Sequence, residues 1–253
     1  MKEELIWTII MGLIGSCMGS FLYLFQARLI VPYPPYYRSL KLLYQPRSHC
    51  SLCHKPLLIW QLIPIVSWLL LRGRCAFCQK HIGINSLLTE LSFAVIFMLS
   101  EWHFNHHQSM TFILLSIWFY ILACYDIKYY LLPDIFVAPF YAIGLIFCIM
   151  GYTDNSLIQA FINCLITFIA IGMIAAIFYY YKNHSGIGFG DIKLITGLGC
   201  WFQLDKIPII MIIACSTGLL WLLIFNQTKP KKMKKIAFGP FILFGAWVVL
   251  IYN

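Results

Sequence analysis

The sequence predicts an all-α membrane protein, a polytopic bundle of about eight spanning helices. Three observations carry that prediction. Of 253 residues, 61% are apolar or aromatic and only 11% are charged, against about 25% charged in an ordinary soluble domain, and the mean hydropathy is +0.82. The apolar residues fall in runs near the ~20 residues that a helix needs to cross a bilayer. The 18 Lys and Arg, set against 9 Asp and Glu, lie between those runs. That placement explains the net charge of +9 by membrane topology and excludes a nucleic-acid partner; the partner that composition does imply is membrane lipid.

The first run is 5–27. The opening Met1-Lys2-Glu3-Glu4 lacks the basic start of a signal peptide and no small-residue cleavage site follows, so the run is read as a retained helix. Gly12, Ser16 and Ser20 recur every four residues, as do Gly15 and Gly19. Such a smooth face lets a neighbouring helix approach closely; a substrate helix could use the same face. Residues 28–85 form a polar, basic loop domain. Within it, 57–71 is apolar but is interrupted by Pro64 and flanked by cysteine pairs, and is read as cytosolic or interfacial. The remaining spans are 86–104, 110–127, 131–152, 157–181, 192–204, 207–226 and 237–252. The 192–204 run is short for a crossing unless the membrane thins there. The chain thus divides into a first helix (1–27), the loop domain (28–85) and a membrane core (86–253).

Orientation follows from the basic residues. Arg28, Arg38, Lys41, Arg47, Lys55, Arg72, Arg74, Lys80, Lys128, Lys182, Lys193 and the five lysines 229, 231, 232, 234 and 235 fall on one side, whereas Lys2 and Lys206 fall on the other. The positive-inside rule places the 28–85 loop in the cytosol and both termini outside.

Cys50-Ser-Leu-Cys53 and Cys75-Ala-Phe-Cys78 are two CxxC knuckles in a reducing compartment. Four thiolates so spaced close a tetrahedral site, the usual structural zinc arrangement, and leave no open position for catalysis. His49, His54 and His81 adjoin the knuckles and are read as exposed neighbours. The six other cysteines (17, 124, 148, 164, 200 and 215) sit singly in apolar runs and read as small buried hydrophobes. The fold class is therefore an all-α membrane bundle with a small cytosolic zinc-knuckle domain.

The acids carry the chemistry. Glu90, Asp126, Asp134 and Asp191 fall near the cytosolic boundary, where an ionisable group is a functional candidate. Asp126 ends the third span in Tyr125-Asp126-Ile127-Lys128, before Leu132-Pro133-Asp134; Asp191 opens the sixth segment in Gly188-Phe189-Gly190-Asp191-Ile192-Lys193. The chain runs inward at one and outward at the other, so their depths match. Two carboxylates sharing a site hold one proton between them and can hydrolyse a peptide by acid–base chemistry. Gly186, Gly188 and Gly190 let the backbone bend near a substrate strand. Paired acids in a membrane also suit a transporter or proton relay, so both readings stand on the residues alone.

These residues together resemble the bacterial type IV prepilin peptidases, membrane aspartyl proteases of the GxGD type. Gly19-Ser20-Phe21-Leu22 is similar to the family's N-terminal motif. The stretch from Ile63-Pro64 through Ser67-Trp68-Leu69 to Leu71-Arg72-Gly73-Arg74-Cys75 is similar to the segment between its knuckles. Asp126 sits in an Asp-x-Lys…Pro-Asp pattern and Asp191 in Gly-x-Gly-Asp-x-Lys. Tyr23 stands where the family commonly has Asn, and Leu29-Ile30 where it has Leu-Pro. The resemblance implies a bacterial inner-membrane enzyme that cleaves the leader of prepilins or pseudopilins at the cytosolic face, with Asp126 and Asp191 as the catalytic pair. Gly188, Gly190, Lys193, Asp134 and Glu90 are then expected to shape the loop or contact substrate. The four cysteines are expected to hold structural zinc. Many members also N-methylate the new terminus with S-adenosylmethionine, and the 28–85 domain is the candidate for that part.

Overall fold

The computed structural model describes residues 2–29, 47–50, 53–183, 186–225 and 236–252. Arg38, Lys41 and the 229–235 lysines lie outside the described residues. Nine α-helices and one 3-10 turn, with no strand, account for the regular structure of those described. They are α1 (Lys2–Leu29), a 3-10 turn (Ile59–Leu62), α2 (Val66–Leu70), α3 (Ile84–His103), α4 (His106–Tyr129), α5 (Asp134–Met150), α6 (Leu157–Lys182), α7 (Phe189–Leu198), α8 (Lys206–Phe225) and α9 (Gly239–Ile251). Five stretches are long and apolar enough to cross a membrane: Leu5–Arg28, Ile84–His103, His107–Tyr129, Leu157–Lys182 and Lys206–Ile224. Helices α5 and α9 coincide with two more predicted spans but have only 17 and 13 residues.

The chain forms two compact units, Met1–Ile113 and Leu114–Asn253. In the first, α1 and α3 run antiparallel in close contact. A Cβ on Gly15 would sit 2.3 Å from the Phe93 carbonyl oxygen, and one on Gly19 would sit 2.7 Å from that of Thr89. The small-residue face of α1 is therefore filled by α3, as helix packing requires. The apolar 57–71 run makes the 3-10 turn and α2, both too short to span.

The second unit is built around α7. Ile192, Leu194, Ile195, Thr196, Gly197 and Leu198 are all buried, within a core that includes Phe140, Trp201, Ile210, Ile242 and Leu243. Here the sequence expectation is corrected. The 192–204 run is a ten-residue helix beginning at Phe189, followed by irregular chain, and it is an interior element with no lipid-facing side. Non-helical backbone at membrane depth is tolerated where protein satisfies it. The Nδ2 groups of Asn155 and Asn163 donate to the Phe202 carbonyl at 3.0 and 3.3 Å, while Trp201 Nε1 donates to the Phe140 carbonyl at 3.1 Å. Local signals set the flanking helices. Ser156 caps α6 by accepting the Gln159 N–H, and Gly151, at φ 73°, ends α5 in the left-handed region. Of the six cysteines expected to be buried, 124, 148 and 200 are, Cys164 is half-buried, and Cys17 and Cys215 are exposed on helices whose outer faces are apolar.

Candidate active site and metal-ligand cluster

Asp126 lies in the last turn of α4 and is only 5% exposed. Its Oδ2 accepts the backbone N–H of Gly239 at 2.9 Å, the first residue of α9. Pro240 follows at the helix start, where its missing N–H costs nothing. This contact sets the carboxylate at the positive end of the α9 dipole. Space matters as well: a Cβ on Gly239 would lie 2.6 Å from that oxygen.

Asp191 stands in the first turn of α7, outside the spanning helices, where its own N–H is bonded to the Gly188 carbonyl. Burial, and then the nearby Asp126 carboxylate, push its pKa up to about 6. The two aspartates, 65 residues apart in sequence, thus interact within one unit, and one of them favours its protonated form.

The glycines serve differently from the expectation. Gly188 has φ −68°, and among the described residues only Gly73 and Gly151 are glycines at positive φ. What Gly188 provides is room, since a Cβ there would meet Asp191 Oδ2 at 3.2 Å. Gly190 packs near Leu132, and a Cβ there would make ordinary contact. Lys193 Nζ reaches Asp134 Oδ1 at 2.5 Å and lies over the Phe189 ring, while Tyr141 donates to the Lys193 carbonyl. These contacts tie the first turn of α7 to α5. Glu90 belongs to the other unit, where it is buried and its Oε2 accepts the Ile65 N–H at 2.7 Å.

Gly239 escaped the sequence reading. Its only signal is a Gly-Pro pair opening an apolar run, which marks a helix start and says nothing of a partner 113 residues away.

The Sγ atoms of Cys50, Cys53, Cys75 and Cys78 lie within 4.8 Å of one another, with Cys50 and Cys78 3.9 Å apart. Tetrahedral zinc with Zn–S near 2.3 Å needs sulfurs about 3.8 Å apart, so the cluster fits a metal ion of that kind. The two knuckles repeat one backbone pattern. Cys50 N–H donates to Lys55 and His54 N–H to Cys50; Cys75 N–H donates to Lys80 and Gln79 N–H to Cys75. His54 and Gln79 sit at matching positive φ, 55° and 57°. None of the three histidines joins the cluster.

Comparison with known proteins agrees with this division. Residues 13–104 match the bacterial peptidase A24 N-terminal domain, and residues 113–223 match the type IV leader peptidase family. The chain is 31% identical over 212 residues to a prepilin leader peptidase/N-methyltransferase of Neisseria gonorrhoeae, covering 83% of this chain and 73% of that one. It is 32% identical over 216 residues to the protein of that name from Legionella pneumophila, covering 83% and 74%, and 29% identical over 213 residues to that from Stutzerimonas stutzeri, covering 83% and 73%. No solved structure matches.

Proposed function

The chain belongs to the type IV leader peptidase family, and from that premise we propose that it cleaves the leader of type IV prepilins or pseudopilins at the cytosolic membrane face, with Asp126 and Asp191 as the catalytic pair. The observation that carries this reading is the buried Asp126 carboxylate, held by the Gly239 N–H and close enough to Asp191 to disfavour a second charge there. Asp126 is the base and Asp191 the acid. As a water oxygen bonds to the scissile carbonyl carbon, Asp126 takes the water proton and Asp191 gives its proton to the carbonyl oxygen. When the diol collapses, Asp126 protonates the departing amine and the diol proton returns to Asp191.

The same reading extends to N-methylation of the new terminus, with S-adenosylmethionine as the donor that the family resemblance implies. Residues 28–85 carry eight basic and no acidic side chains. They offer no carboxylate for a ribose hydroxyl or a cationic sulfur, so any acidic contact to the donor would have to come from outside that segment. The four cysteines would hold zinc, which would supply structure to the knuckles and no chemistry.

Co-expression with a prepilin, followed by mass spectrometry of its N-terminus, tests the proposal and separates cleaved from cleaved-and-methylated product. Asp126→Asn and Asp191→Asn should each abolish cleavage with the fold intact. The double variant should be no worse than either, because the pair acts as a unit. Cleavage at the wild-type rate by Asp191→Asn would overturn the aspartyl mechanism in favour of a proton relay.

A further inference from the structure

The segment between the two knuckles is built inside out. Gln61 is buried, and its Oε1 accepts the Leu58 N–H. On the same 3-10 turn Ile59 is 81% exposed, with Leu62 also outward; residues three apart share a face in such a turn. On α2, Val66, Leu69 and Leu70 are exposed, at the i, i+3, i+4 spacing of one helical face. An apolar surface of this kind outside the spanning helices calls for an occupant.

Its level identifies that occupant. The turn at Ile65, a β-branched residue at φ 62°, is pinned by its N–H to the Glu90 carboxylate at 2.7 Å. Glu90 is the seventh residue of α3, about 9 Å along the axis from the start of that helix. It also packs against Gly19 of α1, which lies nine residues before Arg28, or about 13 Å inside that end of the span. The Ile65 turn is therefore level with the apolar interior of both helices. The flanks suit a headgroup layer. Along the chain, Arg47 and Lys55 precede the segment and Arg72, Arg74 and Lys80 follow it, and no acid occurs from residue 28 to residue 85.

We infer that residues 59–70 are a membrane-seated hairpin, with Ile59, Leu62, Val66, Leu69 and Leu70 among the acyl chains of the knuckle-side leaflet and the flanking basic residues at anionic headgroups. Interfacial segments with an apolar face and a basic flank sit at this depth, about 5–10 Å below the headgroups. Glu90 is the tether that sets the hairpin's level, and the metal-ligand knuckles are its two ends.

The test places a photocrosslinking amino acid at Ile59 or Leu70 of the full-length protein, in vesicles of phosphatidylethanolamine and phosphatidylglycerol. Position Leu13, exposed in the middle of α1, serves as the lipid-facing control. After irradiation, mass spectrometry should find lipid adducts at 59 and 70 within about twofold of the yield at 13, with zinc content unchanged. Adducts only to this chain or to an added prepilin, or a lipid yield roughly tenfold below the control, would overturn the inference. Because no substrate is cleaved, failure here is separate from failure of the peptidase reading.

Discussion

Gly239 matters through what it lacks. Replacing it with Ala puts a methyl group 2.6 Å from Asp126 Oδ2, so either the carboxylate or the α9 start must move. A displacement of about 1 Å from productive geometry can cost on the order of 10²-fold in rate. Gly239→Ala should therefore lower kcat by roughly that factor while leaving KM and metal content near wild type, as steady-state kinetics and elemental analysis would show. Asp191 carries a second prediction at this scale. Its pKa of about 6 means that the acid form is lost as pH rises through that value, so cleavage should fall on the alkaline side of about pH 6. The same shift acts on stability. The ionised carboxylate is disfavoured in the fold, so the folded state binds more protons than the unfolded chain between the ordinary aspartate range and about 6, and stability declines as pH rises across that window. Asp191→Asn should accordingly melt higher than wild type near pH 8, and the difference should close near pH 4. Lys193 and Asp134 form a more exposed pair, for which a contribution under about 1 kcal/mol is expected. Asp134→Asn should thus reduce activity far less than either catalytic substitution.

At the scale of the element, what the sequence makes legible depends on how local the cause is. The knuckles are local: four cysteines at fixed short spacings suffice to predict the cluster, and the sulfurs do converge. Their matched hydrogen-bond patterns show that each hairpin folds by the same rule. Metal would fasten two weak turns together, because binding and folding are coupled at such sites. Cys75→Ser should lose the metal and expose residues 47–83 to protease, measured by elemental analysis and limited proteolysis, while the second unit stays resistant. Helix α7 is the opposite case. Its apolar run reads as one more span, yet it stops at Leu198, where Asn155 and Asn163 reach from elsewhere to the Phe202 carbonyl of the irregular chain that follows and Trp201 of that chain donates to the Phe140 carbonyl of α5. Those partners are distant in sequence, so hydropathy alone could not separate an interior helix from a lipid-facing one. Similarly, the Gly186, Gly188 and Gly190 pattern suggests backbone freedom, whereas Gly188 has an ordinary negative φ and leaves space for the Asp191 carboxylate.

For the whole molecule the open question is parity, since an even number of crossings puts both termini on one side. Counting by helix length alone keeps five crossings, and restoring α5 and α9 gives seven; either odd number would put the termini on opposite sides. The contacts within the second unit argue otherwise. At its start, Gly190 of α7 packs by Leu132, just before α5 begins, and Asp191 interacts with Asp126 at the end of α4. Beyond its other end, the Phe202 carbonyl takes the N–H groups of Asn155 and Asn163, and Asn155 lies in the loop after α5. Helix α5 joins those same two levels with 17 residues, about 25 Å of rise. With Asp191 at its edge, the chain from Ile192 to Phe202 would then cover the depth that α5 covers, as a short helix completed by irregular backbone. Gly239, beside Asp126, then begins α9 at the level where α4 ends, as an eighth crossing requires. Together with a basic split of 16 to 2 between the two faces, this predicts both termini outside and the knuckles in the cytosol. A phosphatase fused after Asn253, which is active only outside the cytosol, should be active, and the same reporter placed after Lys80 should be silent. Silence at Asn253 with activity from a cytosol-dependent reporter there would show that residues 189–205 fold back instead of crossing, and the matched depth of Asp126 and Asp191 would then need another explanation.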